Sequence, residues 1–78
     1  SGGQDVMVGK TKEITVMFSD VRNFTNISES MPNAKTLIEF LNEYMDPMTE
    51  IIMKHEGTID KFIGDAIMAY WNAPLDVE

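Results

Sequence analysis

Two aspartates interrupt stretches that otherwise read as strands. Asp20 follows Ile14-Thr15-Val16-Met17-Phe18-Ser19, and Asp65 stands at the centre of Lys61-Phe62-Ile63-Gly64-Asp65-Ala66-Ile67-Met68-Ala69-Tyr70-Trp71. They lie 45 positions apart in a chain of 78 residues. Nothing else in the sequence offers a metal cluster. There is no cysteine, and His55, alone on the apolar side of a helix end, reads as a partly buried packing residue. Two carboxylates without imidazole or thiolate suit a hard cation such as Mg²⁺, held together with waters and substrate phosphates. Each also has an ordinary reading. Aspartate in a Gly-Asp turn is a routine hairpin residue, and aspartate at a strand end often caps a helix.

The elements around them decide whether they meet. Ile14, Val16 and Phe18 alternate with Thr15, Met17 and Ser19, which predicts a strand ending at Asp20. Asn26 followed by Glu29 resembles a helix-opening capping pair, so a short helix is expected there. Met31-Pro32-Asn33 breaks it, and Asn33 can cap the next helix. In that helix Leu37, Leu41, Tyr44, Met48, Ile51 and His55 form an apolar stripe, widened by Ile38, Met45 and Ile52. The stripe keeps its register across Pro47, which predicts a kink rather than a break. Gly57 is expected to end the helix as a left-handed cap residue.

Thr58–Ile63 and Ala66–Trp71 are strand-length runs separated by Gly64-Asp65, and glycine first in a two-residue loop fits a type II′ hairpin. The order is β-α-β-β. A hairpin paired antiparallel to the first strand would bring Asp20 and Asp65 to one sheet edge. The stretch after Asp20 leads into a helix start, whose free N–H groups can hold an anion. An anion beside two carboxylates needs bridging metal, an arrangement suited to a nucleoside triphosphate with Mg²⁺.

Composition narrows the partners. Thirteen acidic residues face six basic ones, a net charge of −7. Such a surface repels nucleic acid, and no basic patch with interleaved aromatics is present. No apolar run approaches the ~20 residues that span a bilayer. The absence of cysteine is compatible with a reducing cytoplasm, the expected location of this segment, whose parent protein can itself be membrane-attached. Residues 1–12 read as a flexible lead-in that opens with a linker or cloning remnant, Ser1-Gly2-Gly3, and residues 13–78 as one small domain.

Phe18-Ser19-Asp20-Val21-Arg22-Asn23-Phe24-Thr25 resembles the F-x-D-I-x-x-F-T segment of class III nucleotidyl cyclases. Gly57-Thr58-Ile59-Asp60-Lys61-Phe62-Ile63-Gly64-Asp65-Ala66-Ile67-Met68-Ala69 resembles their G-T-x-x-K-x-x-G-D-x-x-M-A segment. The resemblance implies an α/β (α+β) domain, here the βαββ portion of a ferredoxin-like sandwich with an antiparallel sheet and packed helices. It implies an adenylate cyclase-like N-terminal half of a catalytic domain that acts as a dimer, with sites at the subunit interface. The complete domain would convert ATP to 3′,5′-cyclic AMP and pyrophosphate. Asp20, Asp65 and the backbone carbonyl of Val21 would hold two Mg²⁺ or Mn²⁺ ions, with no catalytic residue beyond these ligands. Amides near Asn23, Phe24 and Thr25 would hold the triphosphate. Many family members carry glycine at the position of Asn23, a departure softened by the tolerance of asparagine for a left-handed backbone.

Lys61 corresponds to a position that contacts the purine from the opposite subunit. Lysine only donates hydrogen bonds, and adenine N1 accepts where guanine N1–H donates, so Lys61 implies ATP. The family's remaining adenine-pairing and transition-state residues cannot be assigned within these 78 residues. The isolated segment is therefore expected to be inactive and to self-associate through exposed apolar surface. The alternatives are a non-catalytic regulatory or dimerisation module of the same fold, or a guanylate or diguanylate cyclase. The hairpin tip Ile63-Gly64-Asp65-Ala66-Ile67 differs from the Gly-Gly-Asp/Glu-Glu-Phe tip usual in the last of these.

Overall fold

A computed structural model describes residues 9–77. Its elements are β1 (Thr15–Ser19), α1 (Phe24–Glu29), α2 (Ala34–Lys54), β2 (Thr58–Ile63) and β3 (Ala66–Trp71). The sheet order is β1-β3-β2, with both outer strands antiparallel to β3. β1 and β2 therefore run parallel, with β3 between them, as the βαββ portion of a ferredoxin-like domain requires. Among the described residues, no helix is long and apolar enough to cross a membrane.

Alternation along β3 builds the core. Ile67 and Ala69 are fully buried and share one sheet face, because successive strand residues point to opposite sides. Ile52 of α2 closes over them, and Met17, Tyr44, Met45, Met48, Ile59 and Trp71 pack around this centre. Burying a side chain the size of Ile67 contributes about 1.5–3 kcal/mol. The expected helix stripe is present but rotated. Its packed line runs through Tyr44, Met45, Met48 and Ile52, while Ile38 and Ile51 stay about half exposed. The opposite sheet face carries Val16 and Phe18, and Phe18 is 67% exposed.

The ends of α2 follow local chemistry. The Asn33 side chain accepts hydrogen bonds from the Thr36 amide at 2.9 Å and the Thr36 hydroxyl at 3.0 Å, the expected cap. The helix passes through Pro47 without interruption. Its C-terminus differs from expectation. The left-handed residue is Glu56, with φ 67°, not Gly57. The Glu56 amide donates to the Met53 carbonyl at 3.0 Å and the Gly57 amide to that of Ile52 at 2.9 Å, a Schellman closure. Glycine is needed at position 57 for space. A Cβ there would sit 2.7 Å from Ile52 Cγ2 and 2.8 Å from the Trp71 ring. His55 is exposed rather than packed. Its carbonyl accepts from Trp71 Nε1 at 2.8 Å, so its backbone, not its imidazole, joins helix to sheet.

Two further differences concern short-range signals. α1 begins at Phe24, with Asn23 as the residue before it and no side-chain cap, so Asn26 lies inside the helix it was expected to open. β2 carries a bulge: Ile59 pairs with Ala69 and Lys61 with Met68, leaving Asp60 as the extra residue. The hairpin turn is as expected. Gly64 has φ 59° and Asp65 lies outside the positive-φ region, the pattern of a type II′ rather than a type I′ turn.

The ends of the described chain are tied to each other. Lys12 pairs with Asp76, Asn72 Nδ2 donates to the Glu13 carbonyl at 2.8 Å, and the Val77 amide donates to Asn72 Oδ1 at 2.8 Å. The residues of the lead-in before position 9 lie outside the described structure.

The close approach at Gly57 gives a first prediction. Gly57→Ala forces Ile52 or Trp71 to shift and should destabilise the fold by about 1–3 kcal/mol. A thermal melt of the variant beside the wild type checks this; an unchanged midpoint would show that the helix end yields without cost.

Candidate functional site

Register brings the two acidic segments together. Ser19 opposite Ile67 is the last pair of β1 and β3. Continuing the antiparallel register past it sets Asp20 against Ala66 and Val21 against Asp65. The structure closes that last step with a side chain. The Val21 amide donates to Asp65 Oδ2 at 2.8 Å. The hairpin turn and the chain leaving β1 are thereby joined at one edge, next to Asp20.

The surroundings of the two carboxylates differ. Asp65 is half buried and has one oxygen engaged by the Val21 amide, whereas Asp20 is exposed. No cation pairs with either among the described residues: the ion pairs there are Lys12 with Asp76 and Lys61 with Asp60. Nor do three or more His, Cys, Asp or Glu residues gather at a point among the described residues. What the edge carries is two carboxylates, Asp20 and Asp65, on either side of the Val21 amide contact.

After Asp20 the chain turns sharply. Asn23 takes the left-handed conformation, φ 64° and ψ 28°. Few residues other than glycine do so cheaply, and asparagine is one of them. Its side-chain oxygen accepts from Asn26 Nδ2 at 2.7 Å, and its carbonyl accepts from the Ile27 amide at 3.2 Å. This turn starts α1 at Phe24. The amides of Phe24 and Thr25 belong to the opening turn of that helix, where N–H groups have no intrahelical partner.

Lys61 stands elsewhere on the sheet. It lies on the exposed strand β2 opposite Met68, on the face turned away from α2, and its ammonium is 3.9 Å from Asp60 Oδ2. The structure thus gathers Asp20, Val21 and Asp65 at one edge, with Asn23, Phe24 and Thr25 on the turn that follows, and sets Lys61 apart. Sequence reasoning missed the Val21 amide as the group that fixes Asp65. The signal was available in the register that follows from pairing β1 with β3.

The model of the adenylate and guanylate cyclase catalytic domain matches residues 6–77. The chain belongs to this family. Adenylate cyclase 1 of Rhizobium meliloti is 42% identical over 64 residues, which cover 82% of this chain and 10% of that protein. Among solved structures, the adenylyl cyclase CyaB from P. aeruginosa superimposes with a TM-score of 0.77 at 43% identity, over 83% of this chain and 33% of that one. The guanylyl cyclase Cya2 gives a TM-score of 0.76 at 41% identity, over 82% and 32%. The chain thus spans about a third of these solved structures and a tenth of the curated relative.

The edge geometry generates a direct test. Asp65→Ala removes a charged acceptor from the Val21 amide, an interaction of about 1.5–3 kcal/mol. Hydrogen exchange at Val21 should accelerate by about tenfold or more, while the amides of Ala69 and Tyr70 in β3 keep their protection. Equal loss of protection throughout the sheet would mean that Asp65 supports the fold as a whole rather than this contact.

Proposed function

We propose that this chain forms the metal-holding part of an adenylate cyclase catalytic domain, which in its complete form converts ATP to 3′,5′-cyclic AMP and pyrophosphate. The observation that carries the reading is the hydrogen bond from the Val21 amide to Asp65, which sets a second carboxylate beside the backbone of Asp20. Supporting it are the family membership and the similarity to cyclases of both nucleotide types.

The donor set fits a divalent cation. Asp20, Asp65 and the Val21 carbonyl are all hard oxygen donors, and so sparse a protein contribution suits Mg²⁺ or Mn²⁺, which keep waters and take substrate phosphates as ligands. Two such ions bound there would lower the pKa of the attacking hydroxyl and offset charge on the leaving group. The ribose 3′-hydroxyl gives up its proton to solvent as its oxygen bonds to the α-phosphorus, the bond from that phosphorus to the bridging oxygen breaks, and pyrophosphate departs. The contribution of the chain itself is positioning. The amides at Asn23, Phe24 and Thr25 face the triphosphate, in keeping with the left-handed turn at Asn23 that opens α1. Lys61 donates a hydrogen bond to adenine N1 across a dimer interface, which favours ATP over GTP. This lysine is the residue that favours the adenylate reading over the guanylate one.

The test is Mn²⁺-dependent turnover of ATP and GTP by the full-length protein. Asp20→Ala and Asp65→Ala should each lower kcat on the order of 10²–10³-fold, and Lys61→Glu should shift preference toward GTP. Normal activity in Asp65→Ala would refute the metal assignment. The chain of 78 residues alone should form no cyclic AMP at the roughly 1 s⁻¹ or faster typical of enzymes.

A further inference from the structure

The register of β2 is interrupted at one place. Thr58 and Ile59 pair with Tyr70 and Ala69, Lys61 pairs with Met68, and Asp60 between them is the additional residue. In a regular strand, neighbouring side chains point to opposite faces, so residues 60 and 61 could not face one another. The bulge changes this, since two residues then oppose a single partner and the local twist increases. The consequence is visible in the side chains. Asp60 Oδ2 stands 3.9 Å from Lys61 Nζ, with Lys61 the more exposed of the two. Bulges of this kind re-aim a side chain, and they are over-represented beside functional sites.

We infer that Asp60 is a positioning and specificity residue that holds the ammonium of Lys61 in place for reading the nucleotide base, an inference that rests on the role proposed for Lys61. A lysine side chain has four rotatable carbons and a compact, strongly hydrated charge. Left free on an exposed strand, it would meet a donor or an acceptor group with little discrimination. A carboxylate 3.9 Å away on the same side of the strand attracts the ammonium electrostatically and favours the side-chain conformers that keep it there. The ammonium donates hydrogen bonds and accepts none, so once fixed it meets adenine N1 favourably and opposes the N1–H of guanine. The bulge also explains an oddity of the sequence: Ile59 and Phe62, three positions apart, both lie on the helix-facing side, opposite Ala69 and Ile67.

Steady-state kinetics of the full-length enzyme with Mn²⁺-ATP and Mn²⁺-GTP test this, using Asp60→Asn, Asp60→Glu, Lys61→Glu and the double variant Asp60→Asn/Lys61→Glu. An exposed pair of this kind supports an effect of about two- to fivefold. Asp60→Asn should raise the KM for ATP by that factor, move kcat less, and lower the ATP-to-GTP ratio of kcat/KM in parallel. Asp60→Glu should recover most of the loss, and in the Lys61→Glu background the change at position 60 should have no further effect. An Asp60→Asn enzyme with wild-type KM and nucleotide ratio would overturn the inference. So would an equal effect of Asp60→Asn with and without Lys61, which would mark a purely structural residue. If Lys61→Glu itself left nucleotide preference untouched, the role proposed for Lys61 would fail, and the role of Asp60 with it. A shift with Lys61→Glu alone would remove only Asp60.

Discussion

The site depends on one hydrogen bond between segments 44 residues apart, from the amide of Val21 to the carboxylate of Asp65. β1 ends at Ser19, and its pairing with β3 ends opposite Ile67. Past that point no backbone ladder holds the two chains together. A carboxylate reaching back from the turn takes over the work of a ladder acceptor and extends the pairing by one step. A charged acceptor makes that step stronger than an ordinary amide pair. It also fixes one oxygen of Asp65, so the orientation of the other is set by backbone geometry. A site that handles highly charged ligands gains from such preorganisation, because its groups need not be reoriented when the ligand arrives.

That hydrogen bond is only as stable as the placement of β3, and the core is arranged to hold β3. Its residues Ile67 and Ala69 are fully buried beneath Ile52. At the far end of the strand, Trp71 is clamped to the end of α2 by the His55 carbonyl and by the space that Gly57 leaves open. The central strand is thus fixed at one end by packing and at the other by Asp65. The outer face, with Val16 and Phe18, is left uncovered. On the proposed reading, this apolar face is one that a second subunit would cover.

Much of this was legible in the sequence, for identifiable reasons. Period-two alternation located β1, and the Gly64-Asp65 dipeptide between two strand-length runs located β2, β3 and their turn, because few other residues accept the backbone that a two-residue loop imposes. Asn33 was recognisable as a cap because its side chain competes well for free amides. The errors share a different cause. Glu56 rather than Gly57 took the left-handed position because Gly57 was needed where Ile52 and Trp71 converge, a requirement that exists only in three dimensions. Asn26 looked like a cap, but the turn at Asn23 had already begun the helix. The bulge at Asp60 left only a faint trace in the spacing of Ile59 and Phe62. Asp20 and Asp65 stood out from sequence alone, yet nothing local said that the amide of Val21 would hold Asp65.

Charge gives the site its remaining logic. The chain carries a net charge of −7, and the edge that bears Asp20 and Asp65 adds two carboxylates to the place proposed for a triphosphate. Two unit charges 4 Å apart interact by about 1 kcal/mol in water and about 4 kcal/mol at the effective dielectric of a protein surface. Several such repulsions outweigh what a few backbone amides return at about 0.5–1.5 kcal/mol each. On the proposed reading, nucleotide and divalent cation must therefore bind with strong mutual dependence, since either partner alone meets the wrong field. On that reading, this segment can take part in holding a polyanion although it carries only six basic residues itself. The only basic residue that the reading uses is Lys61, which is set apart from the carboxylate edge and is itself partnered by Asp60. It is suited to reading the base, while neutralising the phosphates falls to the cations.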